Sequence, residues 1–240
     1  MSSDFFAPLL RRWQKRSDLR HEDVQALRNL SWRHQEFTRE AYIVEEGAPV
    51  EACALIIEGW AYRQKVLPNG ARQIISIHIP GEFVDLQNSM LGTADHNVQS
   101  LGRSVVALTP ASALAELAST NSAIGKAMWL DTLVDGSIFR EWVVNVGRRD
   151  AKQRIAHLIC EQALRMQAAG LGEPERFHFP LTQDQLGDAV GLTPVHTNRS
   201  LQSLRRARLI DYGTGWIEIL DWPGLKHVGQ FDELYLHHSV

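Results

Sequence analysis

Between Thr193 and Ile210 the chain carries four arginines (Arg199, Arg205, Arg206 and Arg208), together with His196 and Gln202, and no acidic residue. The planar fork of arginine matches the O6 and N7 acceptors of guanine, and the glutamine amide matches adenine. A helix places successive residues about 100° apart. On that spacing Val195, Arg199, Gln202 and Arg206 share one side, with His196 and Ser203 flanking them. Thr197, Ser200, Leu201 and Leu204 share the other. The chemistry on offer is hydrogen-bonded reading of base edges, with no acid among these residues to repel phosphate. The plainer alternative is the solvated basic face of a helical hairpin.

The surrounding residues say how such a face would be held. Thr182 followed by Gln185 is a capping-box pattern. Leu186, Ala189 and Val190 then recur on one face. Gly187 is small where a second helix must cross, and Gly191 suits the left-handed residue that ends a helix. Thr193-Pro194 restarts one, with threonine as N-cap and proline at the first helical position. The order over Leu181–Ile210 is helix, tight turn, helix, which places the second helix in a major groove. Thr197 and Ser200 stand where such motifs usually carry larger apolar side chains, so looser packing is expected there. Leu209–Tyr212 and Trp216–Ile219 read as short strands around Gly213-Thr214-Gly215, a wing beside the motif.

The 240 residues suffice for two domains. With 44% hydrophobic and 22% charged residues the composition is that of a soluble globular protein. Net charge is −3, so any nucleic-acid surface must be local. Two cysteines, Cys53 and Cys160, argue against a disulfide framework and against a four-cysteine iron–sulfur site within one chain. No apolar run approaches the ~20 residues of a membrane span, and no signal peptide is recognisable, so the expected location is the cytoplasm.

Residues 5–30 read as helical. From Gln35 to about Leu117 the texture is short and extended: Ala41–Val44, Ala52–Glu58, Ala61–Val66, Gln73–Ile79 and Ser104–Leu108. Turn signals separate these runs, Pro68-Asn69-Gly70 and Pro80-Gly81 among them. Many short strands without intervening helices indicate a β-roll or jelly roll. Residues 111–147 return to helix. Leu130, Val134, Ile138 and Trp142 recur every four residues, widened by Trp129, Leu133 and Val143, and make a candidate self-association stripe. A core helix of a monomer is the alternative. Val146–Asp150 reads as a hinge and residues 150–168 as another helix. The expected fold class is α+β. It has a β-roll effector domain with flanking helices over residues 1–120 and a dimerisation helix and hinge over 121–147. A winged helix-turn-helix follows over 148–240, with its core at 149–222. The tail after Pro223 suggests one more short helix.

That order resembles the Crp–Fnr family of bacterial transcription regulators over nearly the whole length. The matching pieces are Ile56–Ala61, Pro80–Phe83 with the segment after it, Arg149-Asp150 with Arg154–Ala156, and Leu181–Ile210. The resemblance implies a homodimer that binds a palindromic operator on double-stranded DNA, with half-sites ~34 Å apart. It also implies an effector or state change in the β-roll that alters DNA affinity. Carried over by position, Thr182 and Gln183 meet phosphates, and Val195, His196 and Arg199 face base edges. Thr193, Gln202 and Arg206 complete the expected DNA-binding set. Val195 stands where relatives often carry a glutamate, and suits a thymine methyl instead.

The implied effector pocket comprises Glu82, Phe83, Asp85, Leu86, Gln87, His96 and Asn97. Cyclic-nucleotide binders of the family place a ribose-binding glutamate and an Arg-Ser pair where this chain has Leu86, His96 and Asn97. Cyclic AMP or cyclic GMP is therefore not the expected effector. A haem would need an axial ligand, for which the isolated His78 and His96 are poor candidates, no metal or other cofactor is expected, and an unidentified small molecule or no ligand remains. RNA polymerase is the implied partner of an activator, and the loop Ala168–Phe177 lies where the family often contacts it. The alternatives are a cupin-like metal enzyme, for which the paired histidines are lacking, and a winged helix that binds protein.

Overall fold

The chain from Arg33 to Pro110 folds as short strands because turns stop each run early, most of them at glycine or proline, the first at Glu40 in the left-handed conformation, φ 62°. The strands are β1 (Arg33–Phe37), β2 (Tyr42–Val44), β3 (Ala52–Glu58), β4 (Ala61–Val66), β5 (Arg72–His78), β6 (Asn97–Ser100) and β7 (Ser104–Pro110). They form two sheets, ordered β1-β7-β3 and β2-β6-β4-β5. Alternation along each strand serves two cores. Ala54 and Ile56 of β3 meet Ala61, Val98, Val106 and Val84 between the sheets. Cys53 and Leu55 face the other way, into a core built with helices α1 (Ala7–Arg16), α2 (His21–Arg28) and α4 (Ala111–Thr120). β1 and β6 were not expected from the sequence. β6 places Gln99 in a buried position, where its side chain accepts from the Tyr62 hydroxyl at 2.7 Å. A short helix, α3 (Asn88–Leu91), precedes β6.

The computed structural model describes residues 4–238, and these divide into two compact units. The first holds residues 4–65, 77–136 and 237–238, and the second 66–76 and 137–236. The extreme termini of the expected domains, residues 1–3 and 239–240, lie outside the described residues. The stretch 5–30 read as helical forms two helices, because Ser17 turns its hydroxyl back onto the Trp13 carbonyl at 2.9 Å and Asp23 caps the next start. Asn121 likewise splits the run from 111, capping the amide of Ile124 at 3.0 Å. The long helix α5 (Ser122–Arg148) follows.

In the second unit, α6 (Ala151–Ala169) opens on a capping box between Asp150 and Gln153. Then come β8 (Arg176–His178), α7 (Gln183–Val190), α8 (Pro194–Arg206), β9 (Ile210–Gly213), β10 (Trp216–Ile219) and α9 (Trp222–Gly229). A 3-10 turn, Glu233–Leu236, ends the chain of described elements. The stretch Ala168–Phe177 is not a loop throughout. Ala168 and Ala169 close α6, and Arg176 and Phe177 belong to β8, which pairs with β10 and makes the wing a three-stranded sheet.

Candidate nucleic-acid interface

The helix pair is built from local signals. Thr182 accepts from the Gln185 amide at 3.1 Å, while the Gln185 side chain accepts from the Thr182 amide at 3.0 Å. Gly191 takes the left-handed conformation, φ 64°, and α7 stops there. A Cβ on Gly187 would sit 2.6 Å from the Leu192 carbonyl and 3.1 Å from Thr197 Oγ1, so this crossing requires glycine. Thr193 caps α8, and the buried Thr197 hydroxyl donates to the Thr193 carbonyl at 3.1 Å. The polar residue at this packed position is thereby satisfied. Leu201 and Leu204 are buried beside it, with Ser200.

The opposite face is open. Val195, His196, Arg199, Gln202 and Arg206 are exposed, as are Thr193 and Gln183, with Thr182 half-buried. Arg205 is diverted from this face. It pairs with Asp211 at 2.7 Å and lies 3.9 Å from the Tyr212 ring centroid, tying α8 to the wing. Asn198 was missed by sequence reasoning. Its amide donates to Gln183 Oε1 at 3.0 Å, joining the two helices at the edge of the reading face. Arg154 was legible only as a family match. It donates to the carbonyls of Val190 at 3.1 Å and Gly191 at 3.3 Å, holding the turn from below. Within the same unit Arg72 pairs with Asp188 of α7 at 2.6 Å.

The stripe read as the self-association face is largely turned inward. Val134 and Trp142 are buried within the chain, and Leu130 and Ile138 are half-buried. The exposed apolar residues of α5 are Trp129, Leu133, Phe139, Val143 and Val144. Periodicity gave a broad apolar surface but not which side the chain itself covers.

Of the residues expected to form an effector pocket, Asp85 and His96 both lie within electrostatic reach of the buried Arg63, and Glu82 contacts His78 beside it, whereas Phe83 and Leu86 pack elsewhere. Phe83 stacks on Trp13, with centroids 6.2 Å apart, and both it and Leu86 belong to the core outside the roll. Asn97 accepts from the Glu46 amide at 2.9 Å, and Gln87 is half-buried. Glu82 lies 3.7 Å from Arg12 and 3.6 Å from His78. His96 is buried against Asp95 at 2.6 Å, and burial lowers its pKa. Sequence reasoning missed Arg63. It is 8% exposed, donates to the Val84 carbonyl at 2.9 Å and pairs with Asp135 of α5 at 2.9 Å.

Burial raises the pKa of Asp85 from 3.8 to about 7, against the opposing pull of the Ala54 amide and Arg63. A folded-state pKa above the unfolded one contributes stability below about pH 4 that is lost as pH rises through about 7. Asp85→Asn keeps an acceptor for the Ala54 amide and removes this titration. The variant is expected to gain stability relative to the parent between pH 5 and pH 8 in urea unfolding. An unchanged difference at the two pH values refutes the assignment.

A β-roll and a winged helix-turn-helix in one chain define a class, the DNA-binding regulators with a sensor-type β domain. The model of the cyclic nucleotide-binding domain matches residues 34–121, and that of the Crp-like helix-turn-helix domain matches residues 153–228. The chain belongs to the Crp–Fnr family of transcription regulators. It is 23% identical over 192 residues to the transcriptional activator protein FnrL of Cereibacter sphaeroides, covering 79% of this chain and 76% of that protein. It is 22% identical over 205 residues to the electron transport regulator A of Shewanella oneidensis, covering 85% and 81%. The structure of FixK2 from Bradyrhizobium japonicum superposes with a TM-score of 0.74 at 21% identity, over 83% of this chain and 98% of that one.

The residues present do not fit a cyclic nucleotide. Leu86 is packed in a core, His96 sits beside an acid, and the interior Arg63 is committed to Asp135. A phosphate needs a free cation or a cluster of donors. Among the described residues no group of three or more His, Cys, Asp or Glu side chains is placed to hold a metal ion, and no helix is long and apolar enough to cross a membrane.

Proposed function

We propose that this protein is a homodimeric, sequence-specific transcription regulator. It reads a two-fold-symmetric operator with Val195, His196, Arg199, Gln202 and Arg206 of α8, while Thr182, Gln183 and Thr193 meet phosphates. The observation that carries this is the exposed reading face of α8, which holds no acidic residue and sits on a capped, glycine-crossed helix pair. The exposed apolar residues of α5, Trp129, Leu133 and Val143, support pairing with a second copy. The buried charges of the β-roll support modulation there by a small molecule or a change of state. The description of relatives as activators supports RNA polymerase as a partner, and the cytoplasm is the matching location.

The test is selection of bound sequences from a random DNA pool with the purified full-length protein. A palindrome with half-sites about one helical turn apart is expected. Arg199→Ala is expected to erase preference at one base pair of each half-site, a loss of about 1–3 kcal/mol per contact. Unchanged preference in that variant would place the reading face elsewhere.

A further inference from the structure

The segment after the wing lies outside the proposed reading face of α8, and its polar atoms converge on two buried groups of α6. These are His157, 1% exposed, and Glu161, 0% exposed. The Glu161 carboxyl oxygens accept from Trp142 Nε1 of α5 at 3.0 and 3.1 Å, from Arg165 Nη1 at 3.2 Å and from Gln162 Nε2 at 3.2 Å. The Tyr235 hydroxyl lies 2.9 Å from Glu161 Oε2 and 3.0 Å from His157 Nε2. His157 Nδ1 lies 3.2 Å from the Gly229 carbonyl at the end of α9. Arg149, in the link between α5 and α6, donates to Glu141 at 2.6 Å and to the Gln230 carbonyl at 3.3 Å. One run of polar contacts therefore passes from α5 through α6 to the tail and brackets the link at residues 149–150.

We propose that Trp142, Glu161 and Tyr235 are positioning residues for DNA binding: the C-terminal tail braces the end of α5 against α6 and so sets the direction in which α8 is presented. The inference rests on the homodimeric reading, because that direction matters most when two recognition helices must meet one duplex together.

Hydrogen-bond bookkeeping adds a condition. The Gly229 carbonyl can only accept, so Nδ1 of His157 carries a hydrogen. If the ring is neutral, Nε2 accepts from Tyr235, and the hydrogen between Tyr235 and Glu161 must be the carboxyl's own. If Glu161 is ionised, Tyr235 donates to it and Nε2 must donate as well, which needs an imidazolium. Either way the run holds one proton more than a carboxylate beside a neutral imidazole. Burial raises the pKa of Glu161 and pushes that of His157 down to about 3, which favours the first arrangement. The charged and titratable groups facing the run are Arg165 from α6, Glu141 from α5 and Arg149 from the link, with Lys226 of α9 acting on the neighbouring Cys160. Loss of the shared proton as pH rises removes one bond and slackens the brace.

The test compares full-length parent and Tyr235→Phe on three duplexes: the selected palindrome, the same duplex with one half-site scrambled, and palindromes with altered half-site spacing. The variant is expected to bind the palindrome about fivefold to tenfold more weakly. It should keep single half-site affinity within about twofold and tolerate more spacings. Parent binding to the palindrome is expected to weaken as pH rises, with a flatter profile in the variant. Equal losses on palindrome and half-site, or no loss on either, would overturn the proposal. If Tyr235→Phe does not fold, Trp142→Phe, which removes one donor, decides by the same readouts. A parent that sediments as a monomer and gains nothing from a second half-site would sink the homodimeric reading and this proposal with it. A dimeric parent with an unresponsive Tyr235→Phe sinks only this one.

Discussion

Trp129→Glu combined with Val143→Glu is expected to leave the protein monomeric in sedimentation velocity and to weaken palindrome binding about a hundredfold. Trp129 is 69% exposed and Val143 56%, although both lie on a helix whose other faces are buried. Fourteen residues separate them, two heptads, so they fall on one seam together with Leu133. A tryptophan contributes about 150–250 Å² of contact area, which gives it a dominant share of any helix–helix interface. Arg140 lies on the same seam, and its apolar stem can cover the partner while its head stays in water. Carboxylates introduced near a two-fold axis oppose their own copies across it. Two linked reading heads gain about a hundredfold or more over one through effective concentration, and separation forfeits that gain. A variant that remains dimeric places the contact on another face of the chain.

Glu161→Ala is expected to destabilise the second unit by about 2–5 kcal/mol, because each buried donor left without its acceptor costs about 1–3 kcal/mol. The fully buried carboxyl is the meeting point of Trp142, Gln162, Arg165 and Tyr235. Alanine leaves those groups buried without the acceptor they share. Glu161→Gln keeps the shape and some of the bonds, and should cost less. Hydrogen exchange of the α6 amides reports the opening free energy of this unit directly. Protection unchanged to within about 1 kcal/mol in Glu161→Ala would mean that packing alone holds α6, the carboxyl being dispensable.

The division between what was legible and what was not follows the range of the interactions. Thr182 with Gln185, Gly191, and Thr193-Pro194 act within a few residues of themselves, so the helix pair and the exposed set on α8 could be written down from the sequence. The alternation in β3 and β5 and the turn glycines and prolines acted at the same range and marked out the β-roll. Arg176–His178 carried no such signal. Three residues are too short for a period, and they are a strand because β10 lies beside them.

The candidate sites divided in the same way. The α8 face needed only the helical repeat, since one side of that helix meets protein and the other does not. The α5 stripe needed more, because apolar residues on several sides look alike in sequence. Only the folded chain turns Trp142 inward to Glu161 and leaves Trp129 outside. Arg63 finds Asp135 seventy-two residues later, and Tyr235 finds Glu161 seventy-four residues earlier. By itself the sequence determined the local devices, the caps, turns and repeats that name the family and aim the reading face. The tertiary structure alone decided which charges are buried and with whom, since burial depends on residues far apart in the chain whose meeting no local pattern records.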